Sequence, residues 1–272
     1  MALQLAEIIT GNKFKSLANY TFAPPIKRGD DYYNLPNTYD PEKIKDGDII
    51  YTDTGYVDEF FKVLREDHEI ILITHNGDTN INYVPPYNII KWYTTNVNVI
   101  HPRIESIPIG LENDLWFPEV RKKEKMIAKL SEPRNYRNLV YMNHSIATNP
   151  TVRDRLYQLY EGESWVTSEK GSNRPNLFDS YLDNIYNHKF MICPEGNGID
   201  THRIWETLYM GSIPIEKRNL NNRFYSDLPI CFVENWEDIT EEFLNDWHKN
   251  KTFIWPLVEE KLNFEYWKNK IQ

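Results

Sequence analysis

The sequence predicts an α/β protein built as two Rossmann-like halves that face one another across a cleft. Three observations point there. Strand-like apolar runs alternate with a helix-like run early in the chain, at Asp48–Thr52, Val57–Arg65 and Glu69–Thr74. A second alternating series begins at Asn138. Phe190 to Ile215, FMICPEGNGIDTHRIWETLYMGSIPI, reads as strand, glycine-bearing loop, short helix and strand. Such alternation indicates parallel sheets with crossover helices. At 272 residues the chain has room for two domains of roughly 120 residues each. The expected division is 1–135 and 136–272, with the last helix, about 257–271, placed to pack back on the first domain. A single merged sheet is the structural alternative.

The first 45 residues carry Pro24, Pro25, Gly29 and Pro41 and read as an irregular or partly helical lead-in. After the strand at 48–52, VDEFFKVLR spaces its apolar residues by three and four, which suits a helix, and EIILIT is the next strand. IIKWYTTNV and VIHPRIESIPIGLEN follow and read as two short strands ending in a loop at Gly110–Asn113. Arg121 to Arg137 is a charged amphipathic helix with a stop at Pro133, leading into the linker, and such a charge run is expected to be a solvated face. In the second series NLVYM is a strand, TVRDRLYQLY a helix, SWVTSEK a strand and LFDSYLDNIYNHK a helix. PICFVE gives a further strand and LVEEKLNFEYWKNKI a closing helix.

Composition excludes several classes. Hydrophobic residues make up 40% and charged residues 26%, as in a packed globular protein. The net charge of −9 argues against nucleic acid as a partner. The 18 Tyr and 8 Trp suit carbohydrate faces and equally suit core packing. Cys193 and Cys231 both fall in predicted buried strands, so reduced core thiols and a cytoplasmic setting are expected. No basic leader with a long apolar core and no run of about 18 apolar residues appears, so no membrane insertion is expected. The seven histidines show no H-x-x-x-H or H-E-x-x-H spacing, and the one Asp-x-Asp, Asp46-Gly47-Asp48, precedes its strand. Neither a metal nor any other cofactor is expected. Walker, G-x-S-x-G and G-x-G-x-x-G signatures are absent, which weakens kinase, hydrolase and dehydrogenase readings.

The richest stretch is the loop and helix after Phe190. Pro194, Gly196 and Gly198 break the strand, and Asp200 and Thr201 are candidate N-caps of a helix that carries Arg203 in its first turn. Unpaired N–H groups, the positive end of the helix dipole and a guanidinium together suit an anionic diphosphate. Glu206, three residues on, shares the Arg203 face, where a carboxylate can accept from two ribose hydroxyls. Ile204 and Leu208 face the sheet, and Gly211 ends the helix. The alternative is an ordinary glycine-bearing turn with Arg203 and Glu206 as a surface pair.

The pattern P-E-G-x-G-x-D-T-x-R-x-W-E-x-L-x-x-G-x-I-P-I resembles the donor-binding segment of exostosin-like glycosyltransferases, including small enzymes of large DNA viruses and bacteria. The matching positions are Glu195, Gly196, Gly198, Asp200, Thr201, Arg203, Glu206, Gly211 and Pro214, and Asn197 lies among them. The resemblance implies that the Arg holds the diphosphate of a nucleotide sugar and the Glu its ribose. Asn143, Ser145, Thr148, Asn149 and Arg153 resemble an N-x-S-x-x-T-N-P-x-x-R element of the same enzymes, able to approach the diphosphate and sugar. For Arg153 a helix-surface cation is the alternative. Gly110 to Asn113 resembles an I-P-I-G-x-E-N element that places Glu112 on the acceptor side.

His75-Asn76-Gly77-Asp78 ends a strand, where α/β folds place ligands, and similar H-N-x-D loops occur in the same relatives. Asp78 is the first candidate for general base, with Asp53 the second and His75 a third, and Asn76 is assigned to the acceptor. Ordinary turn chemistry accounts for Asn76-Gly77 as well. The resemblance implies the GT-B architecture, with two Rossmann-like domains, the donor on the second and the acceptor on the first. Most eukaryotic exostosins carry a membrane anchor, and none is expected here. The expected activity is inverting, metal-independent transfer of a sugar from a UDP-sugar to a glycan hydroxyl of an oligosaccharide or glycoprotein. The small viral relatives point to UDP-xylose, and so to a xylosyltransferase in host cytoplasm. A GDP-fucose-dependent fucosyltransferase and a non-catalytic nucleotide- or glycan-binding module are the alternatives.

Overall fold

The computed structural model describes residues 4–24, 36–114, 119–130, 132, 136–171 and 178–272. Pro25, Gly29, Pro133 and Leu177, named above as lead-in, helix-stop and helix-start residues, lie outside them.

Two separate, wholly parallel five-stranded sheets form the frame, and no strand joins one to the other among the described residues. The first contains β1 (Tyr20–Phe22), β2 (Ile49–Asp53), β3 (Ile70–His75), β4 (Ile89–Thr94) and β5 (Ile104–Ser106), in the spatial order of the chain. The second contains β6 (Asn138–His144), β7 (Val166–Lys170), β8 (His188–Ile192), β9 (Ile213–Lys217) and β10 (Cys231–Val233), in the order β10-β9-β8-β6-β7. Strand buried on both faces suits parallel pairing, and the runs IIYTD, IILITH and HKFMI are apolar in the way that requires.

The two orders have different consequences. The second sheet reverses between β6 and β8, so the crevice at the carboxyl ends of those strands is a topological switch point. The first sheet never reverses. Right-handed crossovers then keep its connections on one face, and α2 (Val57–Val63) buries Val57 and Phe60 there against Ile50, Leu72 and Trp92. The opposite face, with Ile49, Tyr51, Ile73 and Tyr93, is left to elements from the two ends of the chain. α1 (Gly11–Lys15) supplies Phe14, and α9 (Phe264–Ile271) supplies Phe264, Trp267 and Ile271. Lys270 anchors α9 twice: its carbonyl accepts from Tyr93 Oη at 3.1 Å, and its ammonium pairs with Glu105.

Elsewhere the elements are α3 (Glu119–Leu130), α4 (Pro150–Tyr160), α5 (Phe178–Asn187), α6 (His202–Tyr209), α7 (Glu241–Asn250) and α8 (Trp255–Lys261). The single closing helix read from the sequence is two, because the chain breaks at Leu262 and Asn263 caps α9 by accepting from Glu265 N at 2.9 Å. The lead-in holds a helix and an edge strand. α3 is not a wholly solvated face: Lys123 is 4% exposed and pairs with Asp114, and Met126 is buried. Both cysteines are buried and unpaired. No helix among the described residues is long and apolar enough to cross a membrane.

Candidate functional site

Loops after β3, β4 and β5 meet the loop after β8 and the start of the following helix, through Asp78 with Asn197, Asn96 and Ile109 with Asp200, and Gly110 and Glu112 with His202. On the second sheet the loop after β6 meets the loop after β8, and Arg153 joins them. This residue is 5% exposed, so it is not a surface cation. Its Nε donates to Glu195 O at 2.9 Å, one Nη to Ser145 O at 3.0 Å and to Thr148 Oγ1, and the other Nη to Pro194 O at 3.3 Å. Burial lowers its pKa to about 10, helped by the nearby Arg203 charge. With its donors spent on loop oxygens, Arg153 shapes the crevice. Asn149 caps α4 through Val152 N at 3.4 Å and reaches Gly196 O at 3.5 Å. Asn143 turns towards β7, donating to Tyr141 Oη at 2.7 Å and Glu169 Oε2 at 3.3 Å.

α6 begins at this crevice. Thr201 occupies the N-cap position but makes no side-chain capping bond, and its Oγ1 is buried without a partner. Asp200 is used differently from a cap: its Oδ2 accepts from Ile109 N of the first half at 2.8 Å and its Oδ1 from Trp205 Nε1 at 2.9 Å. Burial raises its pKa to about 6 against those bonds. Arg203 is partly exposed, and its Nε is a buried donor without a partner. Among the described residues its guanidinium forms no hydrogen bond or ion pair. Glu206 is 8% exposed and doubly held, with Tyr181 Oη donating to Oε2 at 2.6 Å and Lys122 Nζ 3.1 Å from Oε1. Burial opposes its charge, but Lys122, Tyr181 and Arg203 outweigh that and hold the pKa down at about 2.

The first half closes on α6 through residues the sequence did not single out. Asn96, buried and in left-handed backbone with φ 57, accepts from Asp200 N at 2.9 Å and donates to Gly77 O at 3.1 Å. A side chain at Gly198 would place its Cβ 2.8 Å from Asn96 Oδ1, so the closeness of the halves demands glycine there. His202 donates through Nδ1 to Gly110 O at 2.8 Å, and its Nε2 lies 3.2 Å from Glu112 Oε2. Gly110 presents that carbonyl from a left-handed φ of 68. Burial alone would lower the His202 pKa, yet Glu112 raises it to about 9. Asn96 follows a strand end, and Asn tolerates left-handed backbone, which was the one signal available for it. Nothing in the spacing marks His202, Tyr181 or Lys122.

The three base candidates are distinct in the structure. Asp78 is exposed, and its Oδ2 lies 3.3 Å from the Asn197 amide across the junction. Asp53 accepts from Gly55 N at 2.7 Å and caps a short turn. His75 is 1% exposed, stacks on Phe14 and donates from Nε2 to Pro108 O at 3.1 Å, while its Nδ1 accepts from Asn76 N at 2.7 Å. Burial lowers its pKa to about 4. A neutral imidazole with both nitrogens engaged orders the loop and has no free lone pair for an acceptor proton. Asn76 Oδ1 in turn accepts from Asn113 at 3.0 Å.

Among the described residues no group of three acids, histidines or cysteines is arranged to hold a metal. A cavity of about 360 Å³ lies at the opposite end of α6, between Tyr209, Trp247 and Phe253, away from Arg203. No family model matches the chain, and no curated protein matches it.

Proposed function

We propose that the protein is a glycosyltransferase of GT-B architecture that moves a sugar from a UDP-sugar, with UDP-xylose the first candidate, to a glycan hydroxyl. One observation carries this reading: among the described residues Arg203 stands unpaired in the uncapped first turn of α6 at a topological switch point, one turn from an ionised, buried Glu206. An unpaired guanidinium and free N–H groups suit a diphosphate, and a carboxylate beside them suits the ribose attached to it. The acceptor hydroxyl would give its proton to Asp78 as its oxygen bonds to the anomeric carbon. The bond from that carbon to the diphosphate breaks, and the charge left on UDP is met by Arg203 and the first-turn N–H groups. The sugar is inverted by this single displacement.

Incubation with a panel of UDP- and GDP-sugars, followed by assay of released nucleotide, tests the reading. Slow release of UDP from one donor, accelerated by a glycan acceptor, is expected. Release from GDP-fucose alone would replace UDP by the fucosyl reading, and binding without any turnover would make the protein a binding module.

A further inference from the structure

Helical spacing puts Arg203 and Glu206 three residues apart on one face, a separation at which opposite charges ordinarily pair. They do not pair here. Glu206 is taken instead by Lys122, which reaches it from α3 at 3.1 Å, and Arg203 is left with no partner among the described residues. We propose that Lys122 is a positioning residue of the nucleotide site: by holding the Glu206 carboxylate it keeps Arg203 free for a diphosphate and aims Glu206 at the ribose. The assignment rests on the function proposed above and adds to it the device that keeps the anion site open.

Charge accounting supports this division. Lys122 and Arg203 both lower the pKa of this buried carboxylate, and of the two only Lys122 contacts it. Of the other groups around Glu206 only His202 carries a full positive charge. Tyr181 from α5 contributes a hydroxyl, and burial pushes the Cys193 thiol up to about 12, so it stays neutral. His202 is cationic but committed to Glu112 and Gly110. Among the described residues each Glu206 oxygen has one partner and retains a second lone-pair direction, which suits two neighbouring hydroxyls of a ribose. Without Lys122 the nearest remedy for the buried carboxylate is Arg203 itself, and swinging it onto Glu206 would close the anion site. Lys122 therefore decides which of two anions, the protein's or the ligand's, receives the guanidinium.

Calorimetric titration with UDP and with inorganic pyrophosphate tests the assignment, because pyrophosphate senses only whether Arg203 is available. Lys122→Met is expected to weaken both ligands about tenfold, the scale of one charge-assisted contact. Lys122→Arg keeps the pair and is expected to bind both as the wild type does. In a Glu206→Gln background the carboxylate no longer competes for Arg203, so adding Lys122→Met should leave pyrophosphate affinity unchanged. Lys122→Gln carries the same expectations if the Met variant fails to fold. Pyrophosphate affinity within twofold of wild type in Lys122→Met, or the same loss with and without Glu206→Gln, overturns the assignment alone. A wild-type protein that binds neither ligand overturns the proposed function and this assignment with it.

Discussion

The imidazole of His202, the first residue of α6, sits 3.2 Å from the Glu112 carboxylate, so the helix that carries Arg203 is fixed by an acid from the other half of the chain. The pair has a predictable pH signature. His202 is raised to about 9 from an ordinary 6.5, so its stabilisation is complete below about 6.5 and is lost as pH rises towards 9. Glu112 is lowered, so its contribution is lost only in acid. Melting temperatures measured between pH 6.5 and 9.5 should fall more steeply in the wild type than in Glu112→Gln. Parallel curves would show that the pair contributes nothing to holding the halves together.

Arg153 is expected to matter for stability before it matters for binding. Arg153→Met keeps much of the volume but strands the carbonyls of Ser145, Pro194 and Glu195, at a cost of about 3 kcal/mol. Urea denaturation would measure it. A variant as stable as wild type that had lost nucleotide affinity would instead make Arg153 a direct ligand contact.

The base assignment separates Asp78 from Asp53. Asp78→Asn is expected to preserve donor binding and stability while lowering transfer by about 10²–10⁴-fold. Asp53→Asn should hurt less, because that side chain caps the turn at Gly55. If Asp53→Asn abolishes transfer and Asp78→Asn does not, the roles reverse and Asp78 is turn chemistry.

Transfer is also expected to survive exhaustive EDTA treatment, since Arg203 and the first turn of α6 supply positive charge at the leaving group. Added Mg²⁺ should do no more than quicken product release. Complete loss on chelation, restored by one specific metal, would contradict the metal-independent mechanism.

The sequence carried local structure further than it carried contacts between distant segments. Strands such as IILITH and the strand-loop-helix at Phe190 were legible because their periodicity and glycine breaks act within a few residues. α7 carries an N-cap signal in its sequence, Thr240, which accepts from Phe243 N at 3.1 Å, with two acidic residues after it, yet no periodic apolar run marks its length. The unreversed order of the first sheet could not be read, because strand order depends on crossovers and not on any one segment's pattern. Lys122 shows the same limit at the site. Within its own segment it is one lysine in a charged run, and only the fold brings it within 3.1 Å of Glu206.

The central claim is that Arg203 is an anion ligand and not a structural cation, and calorimetric titration of UDP into wild type and Arg203→Ala, with a melting curve of each, tests it most directly. Because Arg203 has no partner to lose among the described residues, the variant should melt no lower than wild type. Its affinity for UDP should fall by about 3 kcal/mol, roughly a hundredfold or more, with Arg203→Lys recovering part. An unchanged affinity for UDP, accompanied by a lower melting temperature, would contradict the account.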